Sequence, residues 1–458
     1  PILVAGAICI GLCLFGIRGR MGYNPIKVSQ AYYCEDPFLN QLGVNPVFNL
    51  LTSTLDDNRK ENRTLHLMSE EDALSKVQKY LHRQGIDRLS PIARKVEREG
   101  TPNRRNVVLV FMESMSANLM GTFGSDKKLT PYLDSLYQQS LSFCHFYSSG
   151  IHTNHGIYST LYSFPAIMKR NAMKGSVIPV YSGLPTVLQE NGYCNLFFMT
   201  HESQYDNMNA FLRTNGFDEI YAQENYPSEK VVNSFGVQDD FMYQYALPIL
   251  NERAGTGNPF FSVLLSISNH PPYVIPPYFH PHSDVLEEQI VEYADWSIRQ
   301  FMQAAEKQPW FDNTIFVFLG DHGKMVGTPE CEMPQSYNHI PLMIYGKDIK
   351  PGVYDGFGGQ VDVSPTLLGL LNISYLQNNF GVNLLEEERP CMFFTADNLI
   401  GARDSVNMFI YSPDSQQEFK YKLEEGKLHA ATGTDEEAFR NLKDYCFSMQ
   451  IGRASCRE

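Results

Sequence analysis

The chain has 458 residues, 43% of them hydrophobic and 19% charged, with a formal net charge of −14. This is the balance of an ordinary globular protein, rich enough in Phe and Tyr for a large core. The acidic surplus, without a basic run of five or more residues, argues against nucleic acid as a partner, because binding a phosphate backbone takes clustered Lys and Arg.

The first stretch, PILVAGAICIGLCLFGI, is uncharged up to Arg18 and Arg20. Seventeen such residues reach the lower limit for a membrane span, so residues 1–20 read as the end of a transmembrane helix with earlier spans before it. Residues 21–105 read as a membrane-proximal linker and helix. Its apolar patches, such as PFLNQLGVNPVFNLL, suit either a membrane surface or packing on the domain. Ser69 and Asp72 have capping-box spacing, and Leu74, Val77, Tyr80 and Leu81 follow at helical spacing. Residues 84–105 are polar, carry Gly, Pro and Arg, and read as a linker.

From 106 the texture changes. NVVLVFM (106–112) is a continuous β-rich run, as in a parallel strand buried on both faces. NLFFM (195–199), FFSVLLSI (260–267), TIFVFL (314–319) and PLMIY (341–345) are similar. Helical stretches at about 130–141, 185–191, 237–252, 286–306 and 363–371 separate them. This alternation predicts an α/β fold over residues 106–390: a doubly wound, mostly parallel sheet in an α/β/α sandwich. Residues 391–450, with CMFFT, NMFIYS, FKYKL and an acidic helix from about Asp435, read as a small C-terminal antiparallel subdomain. IGRASCRE (451–458) fits no core pattern and reads as an artefactual tail. Nine scattered cysteines form no CxxC pair, which excludes a zinc knuckle or a thioredoxin-like motif; isolated thiols fit better than a disulfide framework.

Open α/β sheets bind ligands beyond the carboxyl ends of their strands. Glu113 follows the first run, Thr200 and His201 the second, Asn269 and His270 the third, and Asp321 and His322 the fourth. Satisfied core polar groups would not all gather at one sheet edge. Glu113, Asp321 and His322 make two carboxylates and one imidazole, a set that suits zinc or manganese better than a soft metal. Thr153 follows a strand-like piece and a Ser/Gly loop and precedes a helix from about Asn154, where free N–H groups and the dipole favour a phosphate. Ser148 and Ser149 offer other hydroxyls in the same loop. His152 and His155 flank Thr153, where either local hydrogen bonding or phosphate contact suits them. His339 precedes a strand and therefore falls at the wrong end for the site. Asp362 reads as a structural acid at a helix start.

In combination and order, VFMES, SSGIHTNHGIYSTLYSFP, MTHE, SISNHPPY and FLGDHG resemble the lipoteichoic acid synthase group, phosphoglycerol transferases of the alkaline phosphatase and sulfatase superfamily. The resemblance runs from about residue 22 to 440. It implies an alkaline phosphatase-like fold and one divalent metal ion, manganese or alternatively zinc, held by Glu113, Thr153, Asp321 and His322. It further implies Thr153 as the catalytic nucleophile, with His201 and His270 as substrate-binding residues. The implied reaction passes a phosphoglycerol-like head group from a phospholipid donor, through a phosphothreonine, to a glycan or glycolipid acceptor. The implied location is the bacterial inner membrane, with the catalytic domain in the periplasm or outside the cell.

Two departures mark this chain. The glycerol phosphate synthases carry a Trp and an Arg shortly after the first substrate histidine, whereas ESQYDNMNAFLR offers Tyr205, Asp206 and Asn207, with Arg213 only later. No C/S-x-P-x-R motif lies near Thr153, which argues against formylglycine chemistry and a true sulfatase. The alternatives are a phosphoethanolamine transferase or phosphodiesterase on the same site, and a non-catalytic membrane sensor.

Overall fold

The computed structural model describes residues 2–21, 25–26, 28–33, 37–57, 65–86, 91–168, 170–174, 178–424, 426–431 and 436–455. Its centre is a sheet of eight strands. These are β1 (Asn106–Met112), β2 (Leu141–Tyr147), β3 (Cys194–Met199), β4 (Glu219–Tyr221), β5 (Phe260–Leu265), β6 (Thr314–Gly320), β7 (Leu342–Tyr345) and β8 (Gly352–Gly359). They lie in the order β4-β3-β5-β1-β6-β7-β2-β8. All neighbours are parallel except β7, which is antiparallel to both β6 and β2.

Every residue of β1 is buried, and alternate side chains feed opposite layers. Val107, Leu109 and Phe111 join the core under the helices Thr153–Tyr162, Leu184–Glu190, Met208–Thr214 and Val363–Leu370. Val108, Val110 and Met112 join the core under Pro131–Gln139, Asp239–Ala254 and Leu286–Ala305. Each such side chain contributes about 1.5–3 kcal/mol. This is the expected α/β/α sandwich.

A separate five-stranded antiparallel meander runs from Met392–Ala396 to Lys427–Ala430. The helix Glu436–Ser455 packs on it and on Glu70–Tyr80, with the Tyr80 and Tyr445 rings edge-on at 4.9 Å. Ser69 caps the Glu70 helix by accepting from Asp72 N–H at 3.2 Å. Part of the expected tail belongs to the fold. Residues 451–455 continue the last helix, Ile451 and Gly452 are buried, and a Cβ on Gly452 would stand 2.7 Å from Val77 Cγ2. Residues 456–458 lie outside the described residues.

The expected linker is also more than a linker. Arg94–Val96 pairs antiparallel with Tyr375–Gln377, Ile92 and Ala93 are buried, and Arg94 and Arg98 form ion pairs with Glu387 and Glu386. Its polar side chains anchor it to the α/β domain. At the start of the chain, Ile2–Arg18 is a 17-residue helix exposed along its length. Among the described residues no helix is long and apolar enough to cross a membrane.

Candidate active site

The carboxyl ends of β1, β3, β5 and β6 converge on one edge, and the candidate site residues follow them. Glu113 and Asp321 are buried and His322 nearly so; one ligand atom from each lies within 4.8 Å of the others. His322 Nε2 stands 3.7 Å from Glu113 Oε1 and 3.5 Å from Asp321 Oδ2. His322 Nδ1 meets Gly323 O at 2.8 Å. A carbonyl only accepts, so Nδ1 carries a proton, and Nε2 is the ring nitrogen turned to the carboxylates.

Asp321 Oδ1 accepts from Ser114 N–H and His322 N–H, each at 2.8 Å, while Oδ2 is buried without a hydrogen bond. Burial, and next the neighbouring Asp321 charge, push the Glu113 carboxyl well above its ordinary range. Two crowded carboxylates, an orphaned buried oxygen and an imidazole nitrogen turned towards them fit a divalent cation, which would relieve the crowding and partner the orphaned oxygen.

Thr153 is the first residue of its helix, with His152 at the N-cap and no side-chain cap bond. Thr153 Oγ1 instead lies 3.5 Å from Glu113 Oε2. The helix reaches this position because Gly156 lies against the Asp321 backbone: a Cβ there would stand 2.2 Å from Asp321 O. Ser148, the rival hydroxyl, donates to Gly150 O at 2.9 Å, and Ser149 N–H donates to Gln360 Oε1 at 3.0 Å.

His201 is buried, which lowers its pKa and favours the neutral ring; its Nδ1 meets Glu202 O at 3.0 Å. His270 Nδ1 meets Pro271 O at 2.6 Å. In both, Nδ1 carries a proton, and in the neutral His201 ring Nε2 is left as an acceptor. A chain of rings joins the two histidines: His201 to Tyr205 at 4.8 Å, Tyr205 to Phe235 at 6.0 Å and Phe235 to His270 at 4.3 Å. Asn154 Nδ2 donates to Asp206 Oδ2 at 3.3 Å, tying the Thr153 helix to the turn after His201.

Because β7 is antiparallel, its start lies at the site edge, so the strand-direction argument against His339 does not hold. His339 is nevertheless buried, with its pKa lowered to about 4 by burial, and its Nε2 bonds Cys144 O at 2.9 Å. His152 Nε2 meets Asp397 Oδ1 at 2.7 Å, a contact from the C-terminal sheet. Asp362 is structural, held by Arg389 at 2.6 and 2.7 Å.

Several supporting residues escape sequence reading. Ser114, in a left-handed conformation with φ 52°, donates to Glu113 Oε1 at 2.7 Å. Gln360 donates to Asp321 O at 2.7 Å while holding the Ser149 N–H, so it links the metal-type set to the loop before Thr153. Thr395 N–H donates to Ser149 O at 2.9 Å from the second sheet. Ser114 could have been flagged by its place beside Glu113; Gln360 and Thr395 carry no local signal.

A family profile described as Sulfatase matches residues 105–373. The chain is 25% identical over 362 residues to the lipoteichoic acid synthase-like YvgJ of Bacillus subtilis (strain 168), covering 72% of this chain and 56% of that protein. It is 24% identical over 400 residues to the lipoteichoic acid synthase of Staphylococcus aureus (strain USA300), covering 77% and 58% respectively. The chain thus spans a little over half the length of these relatives. Among solved structures, a protein in the alkaline phosphatase superfamily from Vibrio parahaemolyticus superposes with a TM-score of 0.77 at 26% identity, covering 85% of this chain and 98% of that one. The lipoteichoic acid synthase LtaP from Listeria monocytogenes superposes with a TM-score of 0.67 at 21% identity, covering 83% and 97%, a likeness of fold.

Proposed function

The chain belongs to the sulfatase family of the alkaline phosphatase superfamily, and on that premise we propose that it is a membrane-anchored, metal-dependent phosphotransferase with Thr153 as nucleophile. It moves a phosphoglycerol-like head group from a phospholipid to a glycan or glycolipid hydroxyl. The observation that carries this reading is the Thr153 hydroxyl, 3.5 Å from Glu113 at an uncapped helix start, beside the buried Asp321 and His322. The missing C/S-x-P-x-R motif separates it from sulfatases that use formylglycine.

Glu113, Asp321 and His322, beside Thr153, would hold a divalent cation, manganese or zinc, which would activate the hydroxyl and neutralise phosphoryl charge. Thr153 Oγ1 loses its proton and bonds to phosphorus; the bond from phosphorus to the diacylglycerol oxygen breaks, and that oxygen takes up a proton. An acceptor hydroxyl then loses its proton and bonds to phosphorus; the bond from phosphorus to Thr153 Oγ1 breaks, and Oγ1 takes up a proton. The free helix N–H groups face the charge that develops on the phosphoryl oxygens. His201, neutral with Nε2 unprotonated, suits the proton-accepting role; His270, whose Nδ1 is likewise turned to a backbone carbonyl, serves the second proton through Nε2.

A bilayer-borne donor is supported by the ion pair between Arg20, just past the exposed apolar helix, and Glu202, the residue after His201. The catalytic domain then lies outside the cytoplasm, at the membrane surface. The test is mass spectrometry of the protein incubated with manganese and either phosphatidylglycerol or phosphatidylethanolamine. A phosphoglycerol adduct on the Thr153 peptide is expected. A phosphoethanolamine adduct alone would reassign the donor, and no adduct with either lipid despite turnover would remove the covalent route.

A further inference from the structure

Lys324 follows His322 by two residues, and its ammonium lies where three strand ends meet. Its Nζ donates to Asn269 Oδ1 at 2.6 Å. The Asn269 amide nitrogen donates to Glu113 O and Ser114 O, at 3.1 and 3.3 Å. The Lys324 N–H donates to Ser116 Oγ at 2.8 Å, so the residue is fixed at both ends. The Tyr273 ring centre lies 5.6 Å from the ammonium and shelters it.

Among the described residues no carboxylate lies within ion-pairing distance of Lys324, whereas Lys127, Lys174 and Lys347 each pair with one. A sheltered ammonium without a counter-ion is costly unless an anion completes it. It keeps spare N–H donors beyond the one given to Asn269. With a cation offsetting Glu113 and Asp321, the Glu287 carboxylate still acts on Lys324, but from beyond ion-pairing distance, so the ammonium's close partner is left to an incoming anion. Asn269 immediately precedes His270, so the ammonium stands between the Asp321–His322 turn and the loop that carries a substrate histidine.

We propose that Lys324 is a phosphate-binding residue of the active site, its ammonium holding a non-bridging oxygen of the donor phosphodiester and then of the phosphothreonine. This rests on the phosphotransferase reading above. The rival is that Lys324 only positions Glu113 through Asn269.

Wild type, K324M and K324R, each loaded with manganese, are titrated with inorganic phosphate by calorimetry, with manganese affinity and melting temperature measured in parallel. K324M should weaken phosphate binding about 10- to 100-fold, the range for a hydrogen bond to a charged group, with manganese affinity and melting temperature unchanged. K324R should retain most of the binding. K324Q keeps an N–H for Asn269 without the charge; it should show the same loss as K324M and covers the case in which K324M does not fold. Undiminished phosphate binding in both neutral variants would overturn the assignment. So would a parallel loss of manganese affinity, which would make Lys324 a support for Glu113. A wild-type protein that binds manganese but no phosphate would overturn the phosphotransferase reading along with it.

Discussion

Gly156→Ala tests how Thr153 is presented. The added Cβ would stand 2.2 Å from Asp321 O, 2.9 Å from Asp321 C and 3.1 Å from Asp321 Cα. These are backbone atoms at the end of β6, and Gln360 holds the same Asp321 carbonyl at 2.7 Å. The helix therefore has to retreat, by roughly 1 Å, to reach ordinary contact. It carries Thr153 with it, away from Glu113 and Asp321. A displacement of that size costs about 100-fold in turnover. Overpacking destabilises by about 1–3 kcal/mol, partly offset by the better helix propensity of Ala, by about 1 kcal/mol. The assay is head-group transfer by purified protein at saturating metal, with the melting temperature recorded alongside. A large fall in turnover with a small fall in melting temperature is expected. Wild-type turnover would mean that the close approach of the helix to Asp321 does not position Thr153, and the reasoning would fail.

Glu113→Gln removes a ligand charge and should lower manganese affinity sharply, as calorimetry would record, while Thr153→Ser keeps an oxygen in place and should retain some transfer activity. The Glu113 carboxyl is raised on folding by burial and by Asp321. Protonation therefore favours the folded state: without metal, stability should fall as pH rises above the unfolded value of about 4.3. Added manganese at 100 times its dissociation constant should return about 2.7 kcal/mol at neutral pH, read as a rise in melting temperature over an EDTA control. Asp362→Ala leaves the buried Arg389 guanidinium without its partner and should destabilise by about 3–5 kcal/mol, measured by denaturant unfolding. Protease added to intact cells, or to spheroplasts, should release the catalytic domain; its complete protection until lysis would place the domain in the cytoplasm.

The long apolar runs were legible because a strand buried on both faces has no polar alternation to obscure it, and β1 matches NVVLVFM residue for residue. Glu113, Asp321 and His322 were legible because each directly follows such a run. The less visible elements lack that signal. β8, GVYDGFGG, is glycine-rich and takes its strand form from pairing with β2 rather than from propensity. β7 reads as a strand, but nothing local reports its antiparallel direction, and that direction moves His339 to the site edge. The segment 84–105 looks like a linker because its anchors are arginines whose partners, Glu386 and Glu387, lie far along the chain. For the same reason Gln360, Thr395 and Asp397, which brace the loop before Thr153, could not be linked to the site before the fold was known.

The central claim is that Thr153 is the nucleophile, and Thr153→Ala tests it most directly. Losing the hydroxyl should change folding little, by about 1 kcal/mol or less, because Thr153 is the first helical residue and not the N-cap, and its hydroxyl meets Glu113 only at 3.5 Å. Turnover with phosphatidylglycerol and manganese should fall by several orders of magnitude, because the covalent route is lost as a whole, and the phosphoglycerol adduct should vanish from the mass spectrum. Near-normal transfer by a Thr153→Ala protein of unchanged thermal stability would contradict the account and pass the role to another hydroxyl or to water.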